Sequence, residues 1–554
     1  IEENRIQQIF DSNLAFHSES YPAFGIYSYN DKAMQVTHGD GNMSLDLAVE
    51  SVKQYTVAEA EITEILLKDK VYPFFVKQCY KAYKNSDVIG TWVEVTNQEK
   101  KPVTMYKFAS AFIPVRRGDN WLTHFHGTWG AENMLQEERL TDGQKIIKNE
   151  DGVRNTTNEN PSFMLTLDGK PQEETGHVFG ASLAWSGNYT LKLDVDNNRI
   201  IKIYAGINED ASYYTLDPKK TFVTPEFAMT YSTTGKGGVS RNFHRWARMY
   251  KLSHADSDRD ILLNSWEGVY FKVDQEVMAQ MMKDMSQLGG ELFVMDDGWF
   301  GDKYPRDGGS TSLGDWVVCK KKLPQGIEGL IASAKKCGIK FGLWIEPEMV
   351  NSKSELYEKH PDWIICQDNR TPTTGRGGTQ MILDLSNPKV QDFVFGVVDN
   401  LMTNYPEIAY IKWDANASIM NYGSYYLPKD RQSHLYIEYH KGLNNVLERI
   451  RTKYPHLLMQ ACASGGSRVN YGLLPYFGEF WTSDNTDAYQ RIYMQWGVSN
   501  FYPAIAMASH VSADKNHQTG RRTPLKFRFD VAMSGRLGME MQPKDMTDGD
   551  KEFA

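Results

Sequence analysis

Residues 408–416 read Ile-Ala-Tyr-Ile-Lys-Trp-Asp-Ala-Asn, an apolar strand pattern that runs into a loop at Asp414. A second pattern of this kind, Phe480-Trp-Thr-Ser, runs into a loop that carries Asp484 and Asp487. Each acid has a structural alternative, because acidic residues after strands often cap the next helix. Two strand ends that both place a Trp beside an acid favour another interpretation, in which two carboxylates act together on a glycosidic bond.

Apolar segments separated by amphipathic helices recur through the second half of the chain. The predicted strands are residues 261–266, 292–295, 341–345, 408–413, 457–462, 480–483, 504–508 and, more weakly patterned, 532–539. Predicted helices at 275–288, 327–337 and 435–453 separate several of them. Continuous hydrophobicity indicates a parallel sheet covered by helices, and eight such strands predict a (β/α)8 TIM-type barrel. No Gly-rich phosphate loop follows a strand, which weakens an open dinucleotide-binding sheet as the alternative.

The chain before residue 250 has a different pattern. Short alternating segments, such as Thr91-Trp-Val-Glu-Val-Thr and Tyr189-Thr-Leu-Lys-Leu-Asp-Val, are separated by Asn, Asp and Gly. This alternation predicts half-buried antiparallel strands, and therefore a β-sandwich. We predict an N-terminal β-sandwich over residues 1–238, a linker helix over 239–260 and a catalytic barrel over 261–554.

Composition narrows the classes of partner. The 554 residues carry a formal net charge of −9, which argues against nucleic acid or an anionic membrane and favours a neutral polar ligand. Five Cys without close pairs indicate no disulfide framework. No apolar run has the roughly 20 residues of a membrane span. The compartment stays open: it is cytoplasmic or, if a leader was removed before Ile1, periplasmic or extracellular.

In a closed barrel, the polar residues after each strand meet at one opening. The residues in question are Trp266 and Glu267, Asp296 and Asp297, Trp344 and Glu346, Lys412, Asp414 and Asn416, Cys462 and Arg468, Asp484 and Asp487, and His510. Trp rings stack on the C–H faces of a pyranose, and carboxylates, Lys and Asn bind its hydroxyls. No closely spaced set of His, Cys or Asp ligands is present, so we predict neither a metal nor a cofactor.

Several motifs in this order resemble one family. They include Leu263-Asn-Ser-Trp-Glu, Phe293-Val-Met-Asp-Asp-Gly-Trp-Phe-Gly, Lys340-Phe-Gly-Leu-Trp-Ile-Glu-Pro-Glu-Met-Val, Leu383-Asp-Leu-Ser-Asn-Pro, Ile411-Lys-Trp-Asp, Trp481-Thr-Ser-Asp-Asn-Thr-Asp-Ala and Asn516-His-Gln-Thr-Gly-Arg. Together they closely resemble the bacterial α-galactosidases of glycoside hydrolase family 36, over nearly the whole chain. The family has a small C-terminal β-domain after its barrel, so the resemblance implies that this domain is missing from the chain, which stops at Ala554.

The resemblance implies a retaining exo-α-galactosidase that acts on oligosaccharides of the raffinose or melibiose type. Asp414 would be the nucleophile and Asp484 the acid and base, with Asp487 as a rival acid whose structural alternative is a helix cap. The implied substrate-binding residues are Asp296, Asp297, Trp344, Lys412, Asn416, Cys462, Gly465, Arg468 and Trp266. Trp266 and Trp299 have packing roles as alternatives. Family members are often homotetramers, so a homo-oligomer is also implied.

The chain departs from the family pattern in three places. Ala415 and Ala417 replace a Met and an Arg, and Gly378 stands where the family has a sugar-contacting Arg, unless Arg376 reaches in from a shifted loop. The loop from Cys462 to Arg468 is also altered. A more open wall would admit a 2-acetamido group, so α-N-acetylgalactosaminidase activity is the leading alternative. A catalytically weak sugar-binding homologue and transfer to a sugar hydroxyl also stay open.

Overall fold

The computed structural model describes residues 19–25, 31–195, 200–376 and 378–554. Residues 1–18 of the predicted N-terminal domain, and Gly377 of the altered loop, lie outside the described residues. The chain divides into two compact units. The first contains the described residues up to His124 together with 136–150 and 161–246, and the second contains 125–135, 151–160 and 247–554.

The first unit is built of antiparallel strands. In chain order these are β1 (Met34–Thr37), β2 (Leu47–Thr56), β3 (Ala60–Asp69), β4 (Phe74–Tyr83), β5 (Val88–Asn97), β6 (Val103–Phe108), β7 (Ala111–Arg116), β8 (Trp121–Phe125), β9 (Leu135–Arg139), β10 (Gly143–Lys148), β11 (Ser162–Thr166), β12 (Val178–Leu183), β13 (Tyr189–Val195), β14 (Ile200–Ile207), β15 (Tyr214–Leu216), β16 (Thr221–Val223) and β17 (Phe227–Ser232). The largest sheet has the order β2-β3-β4-β5-β17-β12-β11-β8-β9, and β16 also pairs with β5. The other sheets are β10-β13-β14-β7 and β1-β6-β15.

The alternation of buried and more exposed residues along the strands explains why these segments form sheets with one face in the core. In β13 every second residue is buried, so one face packs into the core while the other meets water. The prediction of a β-rich N-terminal domain is therefore confirmed. The predicted connecting helix begins earlier than expected: helix α1 is Gly235–Trp246, and a π-helical turn, Ala247–Lys251, follows it.

The second unit contains a closed parallel barrel, as predicted. Its strands, in barrel order, are β18 (Leu262–Asn264), β19 (Leu292–Met295), β20 (Lys340–Ile345), β23 (Ile408–Trp413), β24 (Leu458–Ala461), β25 (Glu479–Trp481), β26 (Met507–Ser512) and β27 (Arg536–Glu540). A separate hairpin pairs β21 (Met349–Asn351) with β22 (Gln380–Ile382). Leu262, Leu292, Val294 and Tyr410 form a buried apolar cluster in the barrel. Strands buried on both faces need apolar residues throughout, which explains their unbroken hydrophobicity.

Helices cover the barrel. They are α2 (Trp266–Val269), α3 (Gln275–Gln287), α4 (Gly326–Cys337), α5 (Glu355–Lys359), α6 (Pro388–Asn404), α7 (Leu435–Lys453), α8 (Ala488–Ser499), α9 (Leu525–Ala532) and α10 (Asp548–Phe553), with short 3-10 turns at Pro361–Trp363, Lys429–His434, Ala504–Ala506 and Pro543–Asp545. Side chains fix several starts: Asp274 caps α3, and Asn387 caps α6 directly before Pro388. Among the described residues, no helix is both long and apolar enough to cross a membrane.

Two of the predicted strands are displaced. Residues 504–506 form a 3-10 turn after Pro503, and β26 begins at Met507. Residues 525–532 form α9, and β27 begins at Arg536. As a result His510 lies inside β26 rather than after it, and its Nδ1 is 2.9 Å from Glu540 Oε2 in the barrel interior. Short apolar runs of small residues do not distinguish a turn from a strand, which accounts for both errors.

Helix α7 depends on a glycine for its close approach to a neighbouring chain segment. A Cβ on Gly442, in the middle of α7, would collide with the backbone carbonyl oxygen of Leu385. Gly396, in the middle of α6, has no heavy atom near the position of an added Cβ. Alanine substitutions at the two positions therefore distinguish the effect of helix propensity from the effect of packing.

We expect Gly442→Ala to destabilise the protein by about 1–3 kcal/mol, because overpacking outweighs the better helix propensity of Ala. The matched change Gly396→Ala should instead stabilise it by about 0.5–1 kcal/mol. Thermal unfolding of both variants measures the difference. Equal effects at the two positions would contradict the close approach of α7.

Candidate active site

Asp414 lies directly after β23, where the strand meets the opening of the barrel. Its Oδ2 accepts hydrogen bonds from Trp344 Nε1 at 3.2 Å and from Asn416 Nδ2 at 2.7 Å. Its Oδ1 accepts from the backbone N–H of Ala415 at 2.9 Å and of Ser464 at 3.1 Å. Four donors hold this carboxylate in one orientation, which is the requirement for a group that must approach one atom of a substrate.

The charges around Asp414 favour its ionised form. Burial acts to raise the pKa of Asp414, but the positive charges of Lys412 and Arg376 outweigh it and hold the pKa below its ordinary value. Hydrogen bonds to the carboxylate act in the same direction. Asp414 is therefore an ionised carboxylate with little access to water.

Asp484 follows β25, and its surroundings shift its pKa in the opposite direction from that of Asp414. Burial raises the pKa of Asp484 above its ordinary value, and the negative charge of Asp414 raises it further. Two indole groups contact the carboxyl: Trp481 Nε1 lies 3.2 Å from Oδ1, and Trp129 Nε1 lies 3.4 Å from Oδ2. The environment thus favours the protonated form of Asp484 more than that of Asp414.

One tight turn touches both acids. Ser464 donates its backbone N–H to Asp414, and a Cβ on the adjacent Gly465 would lie 2.5 Å from the backbone nitrogen of Asp484. Gly465 has φ +87°, a conformation that side chains other than glycine's rarely adopt. The structure thus gives Gly465, a predicted substrate-binding residue, a backbone role: it allows the loops that carry Asp414 and Asp484 to meet.

Asp296 and Lys412 form a buried ion pair at the same opening. Lys412 Nζ lies 2.8 Å from Asp296 Oδ2, which also accepts from Asn264 Nδ2 at 2.7 Å. Burial alone would lower the pKa of Lys412, but the charge of Asp296 dominates and raises it well above the ordinary value. Lys412 is therefore a fixed cation close to both Asp296 and Asp414.

Asp297, the neighbour of Asp296, is held by a residue that the sequence analysis did not single out. Arg306 forms a two-pronged pair with it, with Nε 2.9 Å from Oδ1 and Nη2 2.8 Å from Oδ2. Arg306 Nη1 also donates to the carbonyl of Thr311 and to Asn351 Oδ1. Arg306 stands in an irregular loop with no strand before it, so no local pattern indicated its role.

Glu346 is hydrogen-bonded to the predicted residue Asn416. Its Oε1 accepts from the backbone N–H of Asn416 at 2.5 Å and from Gln380 Nε2 at 2.6 Å. Burial, reinforced by the charge of Asp414, raises the pKa of Glu346 to about 7. Asn416 also accepts a hydrogen bond from Ser464 Oγ at 2.6 Å, so the amide is fixed on both sides.

Cys462 and Arg468, both predicted to bind substrate, have different surroundings. Cys462 packs with Trp481 and Ala508, and burial together with the charge of Asp414 raises the pKa of its thiol well above the ordinary value. Arg468 is a buried residue whose two terminal nitrogens lie 2.8 and 3.1 Å from the Glu348 carboxylate. This geometry does not support substrate contact by Arg468, because its guanidinium is committed to Glu348.

The two predicted Trp residues outside this network have packing contacts. The Trp266 ring lies edge-on to Tyr270 and Phe271, with centroids 5.2 and 5.1 Å away. Trp299 is buried and donates its Nε1 to the backbone carbonyl of Trp344 at 3.0 Å. Trp299 therefore supports the wall behind Trp344, and Trp266 belongs to an aromatic group at the rim.

Asp487, the rival acid, caps helix α8. Its Oδ1 accepts from the backbone N–H groups of Tyr489 and Gln490 at 2.9 and 3.3 Å. This is the structural alternative considered for an acid at this position. Its other contacts, to Thr519 and Arg521, also hold neighbouring loops.

Two further residues of the site come from the first half of the chain. Trp129 and Glu132 lie in residues 125–135, which belong to the second unit although the sequence placed them in the N-terminal domain. Glu132 accepts a hydrogen bond from Ser483 Oγ at 2.5 Å, and burial raises its pKa to about 7. A Trp and a Glu between two strands carry no local signal of barrel membership.

Arg376 lies in the altered loop noted in the sequence. Arg376 is an exposed residue, and partial desolvation disfavours its charge, but the carboxylates of Glu346 and Asp414, followed by those of Asp297 and Asp484, raise the pKa of Arg376 above its ordinary value. The Cβ position of the preceding Gly375 lies 3.8 Å from the Cβ of Ala417. The turn that carries Arg376 therefore approaches the space beside Ala417. Within the described ranges, no group of three or more His, Cys, Asp or Glu could hold a metal ion.

We expect Arg306→Ala to destabilise the second unit by about 3–5 kcal/mol, because the carboxylate of Asp297 would be left buried without its partner. Arg306→Lys keeps the charge but loses the paired geometry, so its effect should be smaller. Thermal unfolding checks both variants. An unchanged unfolding temperature in Arg306→Ala would rule out a structural role for this pair.

Two family models match the chain. The model described as Melibiase matches residues 221–554. The model described as Glycosyl hydrolase family 36 N-terminal domain matches residues 2–217. Their order along the chain is that of the β-rich unit and the barrel.

Relatives and solved structures agree with these matches. The chain is 35% identical over 552 residues to alpha-galactosidase AgaA of Geobacillus stearothermophilus, covering 97% of this chain and 75% of that protein. It is 34% identical over 551 residues to alpha-galactosidase Mel36A of Lactobacillus acidophilus, covering 96% and 74%. The structure of an AgaA variant in complex with raffinose aligns with a TM-score of 0.94 at 34% identity, over 98% of this chain and 77% of that one. The chain belongs to glycoside hydrolase family 36.

Proposed function

We propose that this protein is a retaining exo-α-galactosidase that hydrolyses terminal α-D-galactosyl residues of raffinose- or melibiose-type oligosaccharides. The observation that carries the proposal is a pair of acids from two loops that meet at the turn of Ser464 and Gly465, and whose pKa values are displaced in opposite directions. Family membership and the alpha-galactosidases among its relatives support the substrate class.

The first step is the attack of Asp414 on the anomeric carbon of the galactosyl unit. Its depressed pKa keeps the nucleophile ionised, and its four hydrogen bonds keep it oriented. Asp484, with its raised pKa, donates a proton to the glycosidic oxygen as the bond to the aglycone breaks. The product of this step is a galactosyl ester of Asp414 and a free aglycone.

The second step uses the same two groups in reverse. Asp484, now ionised, accepts a proton from water as the water oxygen attacks the anomeric carbon. The bond to Asp414 breaks and the carboxylate is restored. Two displacements at one carbon give a product with the configuration of the substrate.

The polar residues around the pair are assigned to the galactose hydroxyls. Asp296 and Lys412 form a fixed acceptor and donor, and Asp297 is oriented by Arg306. Trp344 closes one wall of the pocket and is attached to the nucleophile through its Nε1. A sugar with several hydroxyls needs such convergent, pre-oriented groups.

A second candidate substrate is the 2-acetamido analogue of galactose. Ala415 and Ala417, directly after the nucleophile, are small residues where the family resemblance leads one to expect a Met and an Arg. The smaller side chains at these positions make an α-N-acetylgalactosaminide the competitor to test. Parallel assays with chromogenic α-galactoside and α-N-acetylgalactosaminide decide between the two, and turnover of neither would favour a sugar-binding role.

We expect Asp414→Ala to lower kcat/KM on a chromogenic α-galactoside by at least about a thousandfold, because the covalent intermediate cannot form. Asp487→Asn keeps a capping oxygen at the start of α8 and should retain most activity. If Asp487→Asn lost activity as completely as Asp484→Asn, our choice of acid would be wrong. Steady-state kinetics on correctly folded variants, verified by circular dichroism, provides the comparison.

The two displaced pKa values predict the shape of the pH profile. Asp414 must be ionised, so kcat/KM rises as the pH increases through the depressed pKa of Asp414. Asp484 must be protonated, so kcat/KM falls as the pH increases further, through the raised pKa of Asp484. We expect Asp484→Asn to abolish the falling limb in its residual activity on raffinose, and to keep the rising limb on galactosyl fluoride, which requires little acid assistance in the unmodified protein as well. A falling limb unchanged in Asp484→Asn would assign the acid elsewhere.

We also expect Arg376→Ala to raise the KM for α-galactosides by about tenfold, because a charged hydrogen bond to the sugar is worth about 1.5 kcal/mol or more. Arg370→Ala, an exposed residue of the same loop, is the control and should change KM little. Equal KM values for the two variants would show that Arg376 does not replace the missing family Arg.

A further inference from the structure

A buried arginine inside the barrel has hydrogen-bond donors without partners. Arg536 is the first residue of β27, and only 4% of its surface is exposed. Among the residues that the structure describes, none accepts a hydrogen bond from its Nη1 or Nη2. Its Nε lies 3.1 Å from Glu479 Oε2, an ion-pair distance, but without the geometry of a hydrogen bond. Buried donors of this kind need a partner, because leaving them unpaired costs free energy.

Arg536 shares its carboxylate with a second arginine. Arg259 Nε lies 3.7 Å from the same oxygen of Glu479, and all three side chains are buried. The other oxygen, Oε1, accepts hydrogen bonds from the Tyr410 hydroxyl at 2.5 Å and from Gln460 Nε2 at 2.8 Å. One carboxylate therefore faces two guanidinium groups and two neutral donors.

Backbone carbonyls satisfy Arg259. Its Nη1 donates to the carbonyls of His254 and Ser257 at 2.9 and 2.8 Å, and its Nη2 donates to the carbonyl of Gly478 at 2.9 Å. Within the described part of the chain, Arg536 has no such contacts at its terminal nitrogens. The unpaired donors of this cluster thus point to a ligand at Arg536 rather than at Arg259.

The charges of the cluster do not balance. Guanidinium groups stay protonated in proteins, so two arginines and one carboxylate leave one positive charge. Burial, reinforced by the charge of Glu479, raises the pKa of Tyr410 well above its ordinary value, so its hydroxyl is neutral. Burial, followed by the charge of Arg536, lowers the pKa of His510 well below its ordinary value, so the ring is neutral too.

One further carboxylate acts on Arg259, but it has a cation of its own. Lys340 Nζ lies 2.8 Å from Asp260 Oδ1. A water molecule would accept hydrogen bonds from Arg536 without compensating the charge, whereas an anion does both. We propose that Arg536 binds a small monovalent anion of the chloride type inside the barrel, at the end opposite the proposed active site.

Packing around Arg536 limits the size of the anion. The guanidinium carbon of Arg536 lies 5.7 Å from the centroid of the Tyr410 ring. Tyr410 belongs to the buried apolar cluster with Leu262, Leu292 and Val294. A close-packed layer of this kind admits an ion of the size of a halide, but neither a sugar nor an organic phosphate.

A route from solvent lies at the same end of the barrel. Arg259 and Leu458 line a surface groove of about 470 Å³, and Leu458 also packs against the apolar cluster. Tyr410 and Asp414 are four residues apart along β23 and the loop after it, which corresponds to roughly 13 Å. The anion therefore stabilises the barrel and takes no part in the reaction at the opening.

The test measures the unfolding temperature in sodium chloride, sodium bromide and sodium gluconate at equal ionic strength. Chloride and bromide should raise it by about 3–5 °C relative to gluconate and reach saturation, because a ligand of the folded state alone stabilises that state. Arg536→Gln leaves one arginine for one carboxylate, so the difference between salts should fall below about 1 °C. Arg449→Gln, the same change at a surface arginine paired with Asp392, is the matched control and should keep the full difference.

Glu479→Gln makes the opposite change in charge. It removes the carboxylate and leaves two guanidinium groups, so the unfolding temperature should depend more strongly on chloride than in the unmodified protein. A merely structural role of Glu479 would lower the unfolding temperature equally in all three salts. That result in a folded Glu479→Gln protein would contradict the proposed anion.

Bromide diffraction locates the ion even if the variants do not fold. Crystals of the unmodified protein soaked in sodium bromide should show an anomalous peak in contact with the terminal nitrogens of Arg536. The proposal is overturned if no peak lies there, or if the unmodified protein unfolds at one temperature in all three salts. Either result would assign the unpaired donors to water. A halide effect that persists in Arg536→Gln would also overturn it, because the ion would then bind elsewhere.

Discussion

The site depends on one electrostatic constraint: carboxylates removed from water must each have a cation or hold a proton. Three buried carboxylates at the opening satisfy it with a cation at about 2.8 Å, and these pairs are Asp296 with Lys412, Asp297 with Arg306, and Glu348 with Arg468. A buried charge without such a partner costs several kcal/mol. Among the described residues, no cation is hydrogen-bonded to Glu132 or Glu346, and burial raises the pKa of both to about 7.

This distribution of cations separates the two acids of the reaction. Lys412 and Arg376 act on both Asp414 and Asp484, but they outweigh burial only at Asp414, where four hydrogen bonds assist them. Asp484 instead has the negative charge of Asp414 as a neighbour. One fold therefore provides an ionised and a protonatable carboxyl beside a single turn, from the same residue type.

The sequence was sufficient to predict those structural features that a local residue pattern determines. The strands at 292–295 and 408–413 have the expected bounds because unbroken apolar residues mark a fully buried strand. Asp296 and Asp414, placed directly after those strands, meet Lys412 from the end of the second strand at one opening, because parallel strands end there. Family resemblance added the distinction between Asp484 and Asp487, which local pattern could not make.

What the sequence did not reveal depends on contacts distant in the chain. Arg306 and Glu132 are buried polar residues whose partners are brought together only by the complete barrel. The predicted bounds of the strand that contains His510 were wrong for a different reason, since small apolar residues fit a turn as well as a strand. Such cases require the three-dimensional arrangement, because no periodicity records a single side chain's partner.

Residues 125–135 and 151–160 belong to the barrel unit but precede its first strand by more than a hundred residues. Glu132 and its partner Ser483 are 351 positions apart, so on a ribosome the first is synthesised roughly 20–70 s before the second. During that interval the barrel residues that this loop contacts, such as Ser483, have not yet been synthesised. The order of synthesis therefore makes the contacts of residues 125–135 among the last of the site to form. A separately expressed segment 247–554 would lack the residues of the barrel unit that come from 125–135 and 151–160.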